Sequence, residues 1–92
     1  MADELLVGTV LAAEPQPGAR APALLLTIDL CSYGKEEVVM PAGSYDPADL
    51  VGTQLVCRRD LDGAVVVGAH SHGKGLVPLR PDAGVEPGTL VS

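Results

Sequence analysis

The feature that most constrains this chain is a pair of apolar runs held apart by a segment that suits neither helix nor strand. Val7-Gly8-Thr9-Val10 lies in the first run and Leu24 to Leu30 (LLLTIDL) forms the second. Between them, Glu14 to Pro22 carries Pro15, Pro17, Gly18 and Pro22, which remove backbone donors and favour turns. The pattern predicts two strands, Leu5 to Ala12 and Leu24 to Leu30, paired as a hairpin across that loop. The first strand is apolar on both faces toward its centre, as expected of a barrel strand that also touches another subunit.

The same alternation of apolar run and turn continues downstream. Cys31 to Lys35 contains Gly34 and reads as a turn, and Glu36 to Pro41 reads as a short third strand ended by its proline. Ala42 to Tyr45 is expected as loop. Asp46 to Val51 then has the signature of one or two helical turns: Asp46 as N-cap, Pro47 at the first helical position, Asp49 in the first turn and Gly52 as terminator. Gln54 to Arg59 and Ala64 to Ala69 read as fourth and fifth strands, joined by a tight Asp60-Leu61-Asp62-Gly63 turn. From Val77 to Ser92 the chain holds Pro78, Pro81, Gly84, Pro87 and Gly88, so short extended pieces lying over a barrel are expected there.

Composition supports the same class. Eleven glycines and eight prolines argue against long helices, because an interior Gly costs about 1 kcal/mol and an interior Pro about 3 kcal/mol relative to Ala. With no Phe and no Trp, the core must be built from Leu, Val, Ile and Ala, which fill a small barrel well. The expected fold is therefore all-β: a five-stranded barrel with one short helix between strands 3 and 4 and an extended C-terminal tail, residues 1–92 forming one domain. A chain of this size buries only part of its apolar surface, so a covering partner surface would help it.

Charge and context narrow the function classes. The net charge of −6 weighs against unspecific nucleic-acid binding, which uses a basic surface, although a barrel can still gather several of the six cations, Arg20, Lys35, Arg58, Arg59, Lys74 and Arg80. The start Met1-Ala2-Asp3-Glu4 is acidic where a signal peptide needs a basic region, and no apolar run approaches about 18 residues, so a cytoplasmic protein without membrane insertion is expected. Cys31 and Cys57 are then expected as reduced, buried small hydrophobes.

Three motifs invite chemistry and are better read without it. Gly68 to Lys74 has phosphate-loop spacing, but Gly75 stands where the Mg²⁺-binding hydroxyl belongs and Leu76 to Pro81 cannot form the required helix. His70-Ser71-His72 has a nucleophile beside imidazoles, yet neighbours in one strand or turn rarely reach the angles a nucleophile and base require. His70 and His72 lack a recognisable second ligand pair, so a polar loop is the ordinary reading. No catalytic residue, metal or cofactor is expected. Arg58-Arg59 is different, because strand alternation sends the two side chains to opposite faces. One of them would face a ligand groove or solvent, unless both pair with Asp60 or Asp62 as surface ion pairs worth about 0–1 kcal/mol.

In order and spacing these segments resemble the tRNA-binding OB-fold family, and within it the CsaA-type export chaperones and related small tRNA-binding proteins. The resemblance runs from Asp3 to Leu90. It rests on Val7-Gly8-Thr9-Val10, Arg20-Ala21-Pro22-Ala23, Asp60-Leu61 and Ser71-His72-Gly73-Lys74-Gly75-Leu76. Family members carry a polar residue before Val-Gly, Arg-Lys-Pro-Ala, Asn-Phe, and Ser-x-Gly-Met-x-Leu at those places; here Leu6, Ala21, Asp60 and Lys74 depart from that pattern. The resemblance implies an OB-fold homodimer that binds tRNA or other structured RNA through Arg20, Arg58, Arg59, Ser71 and Lys74. Its alternative implication is an apolar groove for unfolded or pre-export polypeptide that includes Leu24, Leu25 and Leu26. RNA binding falls as salt rises, whereas an apolar peptide contact survives it.

Overall fold

The computed structural model describes residues 4–18, 20–43 and 45–91; Met1 to Asp3, Ala19, Ser44 and Ser92 lie outside the described residues. Seven strands and one short helix follow in order: β1 Glu4–Pro15, β2 Ala23–Asp29, β3 Lys35–Pro41, α1 Pro47–Leu50, β4 Gln54–Asp60, β5 Gly63–Val66, β6 Gly68–Ser71 and β7 Gly75–Pro78. The first five strands form one antiparallel sheet in the order β3-β2-β1-β4-β5, and β5 lies against β3, so the sheet curls into a nearly closed five-stranded barrel. The all-β class, the hairpin β1–β2 and the helix between the third and fourth strands all match the reading of the sequence.

β1 holds the barrel together because it pairs twice. Its first half, Glu4 to Thr9, pairs with β4, and its second half, Thr9 to Pro15, pairs with β2, with a register shift between Val10 and Ala12. A strand that changes partner must bend, and a bulge bends it. Gly8 lies just before the change. A Cβ there would stand 2.3 Å from Ile28 Cγ2 and 2.9 Å from Leu30 Cδ2, so only glycine lets β1 approach the end of β2.

Alternation then sets the core. Leu24, Leu26 and Ile28 of β2, Val38 and Met40 of β3, and Leu55 and Cys57 of β4 point inward with Leu6, Val10, Leu30, Leu50 and Leu76. No aromatic ring is needed among them, as the composition required. Asp46 caps α1 by accepting the Ala48 N–H at 3.0 Å, and Leu50 drops from that turn into the core.

Three expectations need correction. The run from Ala64 to Ala69 is not one strand: it breaks at Val67, where Val67 N–H donates to Val56 and Val67 accepts from Leu79. The chain past the break becomes β6, which pairs with β7 as a separate two-stranded sheet over what the sequence suggested was only a turn. Cys31 is exposed rather than buried, since it sits at φ +56° in the tight 3₁₀ turn Cys31–Tyr33, its N–H bound to Asp29 Oδ1 at 2.8 Å. Cys57 is buried as expected, and burial pushes its thiol up to about 11.

The C-terminal segment is a strap with defined hydrogen bonds. Val56 N–H donates to Leu79, the Gln54 side chain both donates to and accepts from the Val85 backbone, and Gly88 to Val91 pair with Leu5 to Val7 on the edge of β1 that β2 leaves free. Val7 therefore becomes buried although it lies on the outer face of the β1–β4 pair. Gly88 is required there, because at φ +84° a Cβ would come within 2.6 Å of the Leu30 carbonyl. Among the described residues no helix is long and apolar enough to cross a membrane.

Candidate nucleic-acid interface

The five cation and hydroxyl positions singled out in the sequence divide between two ends of the barrel. Arg59 follows Leu55 and Cys57 on the inward face of β4 and reaches the end of the barrel where β1 begins. Its guanidinium lies 5.3 Å from the centre of the Tyr33 ring, with Glu4 at 3.8 Å and Glu36 at 4.0 Å. Its Nε is buried without a hydrogen bond among the described residues. Arg59 is thus a plug that closes one end, tied to the first residues of β1 and β3 by charge and to the β2–β3 turn by its planar face. Arg59 pairs with Glu4 and Glu36 and not with Asp60 or Asp62 among the described residues; the Asp60 carboxylate accepts the Asp62 N–H at 2.8 Å and shapes the turn.

Arg58, one residue earlier, points to the outer face and is exposed, opposite Leu5 on one side and Val65 on the other. The sequence left open which arginine of the pair turns outward. The period-two pattern Leu55, Cys57, Arg59 already held the answer, since a residue two places beyond two core positions shares their face.

Arg20 and Lys74 stand on loops at the opposite end. Arg20 is exposed in the β1–β2 loop, and Pro22 of that loop accepts the Ala42 N–H at 3.0 Å, joining it to the end of β3. Gly43, next in that segment, packs against the turn of the β6–β7 hairpin, where a Cβ would stand 3.2 Å from the Lys74 carbonyl. Ser71 is the last residue of β6 and pairs with Gly75, so it sits at the base of the turn that carries His72 and Lys74. Among the described residues neither Arg20 nor Lys74 forms an ion pair. The reading of the sequence missed His70 and His72 as members of this end; both are exposed on the same hairpin. The signal was present as His70-x-His72 beside Lys74, but without the hairpin it read as a loop.

The outer face of β2 and β3 has another character. Leu25 pairs with Glu14 on one side and with Val39 on the other, and Thr27 pairs with Glu37. This face offers Leu25 and a 53% exposed Val39 flanked by carboxylates, and its cation is Lys35, at the start of β3 opposite Asp29. Of the three leucines considered for a peptide groove, Leu24 and Leu26 are in the core and Leu25 is on this outer face. Arg80 lines a separate open pocket of about 380 Å³ beneath the strap, with Thr9, Gln54 and Asp82.

Comparison with known proteins sets this geometry in context. No protein-family profile matches the chain. The methionine–tRNA ligase of Methanosphaerula palustris is 37% identical over 94 residues, a match covering 96% of this chain and 14% of the ligase. That of Methanoregula boonei is 33% identical over 97 residues with the same coverage. The chain therefore spans about one seventh of the length of these curated relatives. Among solved structures, the chaperone CsaA of Bacillus anthracis superposes with a TM-score of 0.88 at 29% identity, covering 98% of this chain and 91% of that one. The CsaA chaperone of Picrophilus torridus gives 0.89 at 21% identity, which is a likeness of fold alone.

Proposed function

The chain belongs to the tRNA-binding-type OB-fold family that includes the CsaA chaperones, and on that premise we propose that it is a non-enzymatic homodimer that binds tRNA or other structured RNA. The observation that supports this most directly is the 37% identity to a tRNA ligase across almost the whole barrel, in a chain whose Arg20 and Lys74 stand exposed without an ion pair among the described residues. In this reading Arg20 and Lys74 contact phosphates, Arg58 adds a charge from the outer face of β4, and Ser71 supplies one hydrogen bond. Arg59 keeps its place as a plug and contributes little to RNA.

A dimer fits the distribution of apolar surface. Leu5, Val65, Leu90 and Val91 are each 37–57% exposed on the side where the strap meets β1 and where β5 flanks β4. A symmetric partner covering that side would supply the burial a short chain lacks. Sedimentation equilibrium at micromolar protein tests this: a mass twice that of the chain is expected, and a monomer overturns it.

Fluorescence anisotropy with bulk tRNA, repeated from about 50 to 200 mM salt, tests the RNA reading over the range in which phosphate contacts lose affinity most steeply. Saturable, salt-sensitive binding is expected. A second reading, a chaperone for extended polypeptide, is favoured by one observation: the apolar strip of Leu25 and Val39 flanked by Glu14 and Glu37. It gains first place if tRNA fails to bind at the lowest salt while an unfolded polypeptide binds in a salt-resistant way.

A further inference from the structure

We infer that the open pocket beneath the C-terminal strap binds a small zwitterion, a free α-amino acid with an uncharged side chain, whose carboxylate goes to Arg80 and whose ammonium goes to Asp82. This site is separate from the proposed RNA and dimer surfaces and stands without either reading.

The pocket is a defined feature of the fold. Thr9 of β1 and Gln54 of β4, paired across the sheet, line it together with Gly52, just after α1, and Arg80 to Gly84 of the strap. The Gln54 carboxamide ties sheet to strap: Nε2 donates to Thr9 Oγ1 at 3.1 Å and to the Val85 carbonyl at 2.6 Å, while Oε1 accepts the Val85 N–H at 3.0 Å. Hydrogen bonds thus hold open a space of about 380 Å³, within the range of roughly 300–1,000 Å³ that small-molecule sites occupy. Leu5, on the proposed dimer side, lies about 13 Å back along β1 from Thr9, with the buried Val7 between them.

Three polar groups of the lining are left for a ligand. Thr9 Oγ1 receives the hydrogen of Gln54, so its own hydroxyl proton has no acceptor among the described residues. Arg80 and Asp82 carry opposite charges on one stretch of strap, yet among the described residues they pair neither with each other nor with any other group. Pro81 between them restricts the backbone. A simple anion suits the Arg80 fork and the Thr9 hydroxyl but meets the Asp82 carboxylate; a simple cation suits Asp82 but meets Arg80. An α-amino acid carries both charges on one carbon and satisfies the two together. The remaining lining, Pro81, Ala83 and two glycines, brings no further charge, which selects an uncharged side chain.

The test is an amide NMR titration of the full chain with L-leucine, run beside N-acetyl-L-leucine, which lacks the ammonium, and L-leucinamide, which lacks the carboxylate. Saturable shifts centred on Thr9, Gly52, Gln54, Ala83 and Gly84 are expected with L-leucine. Each analogue should bind about tenfold more weakly, since it forfeits a charge-assisted hydrogen bond and leaves one charge opposed. Arg80→Gln should weaken L-leucine to the level of L-leucinamide, and Asp82→Asn to the level of N-acetyl-L-leucine. Unchanged amide positions outside the strap verify that both variants are folded. No saturable shift with L-leucine on the order of 10 mM overturns the inference, since such a site would be weaker than any specific contact of both charges. Either analogue binding as tightly as L-leucine also overturns it, by reducing the pocket to a site for one charge.

Discussion

At one end of this barrel Arg59 lies 5.3 Å over the Tyr33 ring between Glu4 and Glu36; at the other, Arg20 and Lys74 extend from two loops with no ion pair among the described residues. The difference follows from where strand alternation and loop length leave each side chain. Arg59 shares the inward face of β4 with Leu55 and Cys57, so it must satisfy its charge inside the protein's own rim. Arg20 and Lys74 stand on turns, where nothing demands an internal partner and an external phosphate can supply one. Cations of one type can thus close a barrel or recruit a ligand, according to the face they are given.

The most severe way to break the comparison is to unbend the strand that links the two ends. Gly8→Ala places a Cβ against Ile28 and Leu30, and overpacking of that kind costs about 3 kcal/mol. Denaturant unfolding should show the loss as a single transition in which both ends melt together. Separate transitions would mean that the ends are not coupled through β1.

Removing the open-end cations should separate binding from stability. Arg20→Ala combined with Lys74→Ala should lower the salt slope of tRNA binding by about 1.8, at about 0.9 for each lost phosphate contact, with the melting temperature unchanged. A drop in stability without a change of slope would assign these residues to the fold.

Arg59 should behave in the opposite sense. Arg59→Ala removes a cation–π contact and two partly exposed ion pairs, together about 1 kcal/mol of stability, and leaves tRNA affinity within twofold. Arg59→Met, which keeps the stem and removes the buried unbonded Nε, should restore most of that stability. A large loss of RNA affinity in Arg59→Met would move RNA to the closed end.

The smallest effects concern the thiols. Cys31 is exposed in the 3₁₀ turn at the closed end and should react with a thiol reagent in the native protein, while buried Cys57 reacts only on unfolding. Burial raises the Cys57 thiol from 9.0 to about 11, so its contribution to stability is present below about pH 9 and is lost as pH rises toward 11. Urea unfolding at pH 8 and pH 10.5 should show that decline, and Cys57→Val should remove it.

Much of the molecule was legible in the chain because the relevant physics is local. Pro17, Gly18 and Pro22 dictate a loop wherever they sit, Asp46-Pro47 begins a helical turn through its own side chain, and alternating Leu, Val and Ile mark strand faces. Even the inward turn of Arg59 was written in the spacing from Leu55 and Cys57. What the sequence could not decide depends on residues far apart in the chain. The break at Val67 arises because Val56 and Leu79 take its backbone groups, the strap is fixed by Gln54 and the free edge of β1, and Arg20 and Lys74 share one end only because β3 ends between their loops. Those are choices of partner, and hydrogen bonds between distant segments exist only once the bend at Gly8 has closed the barrel.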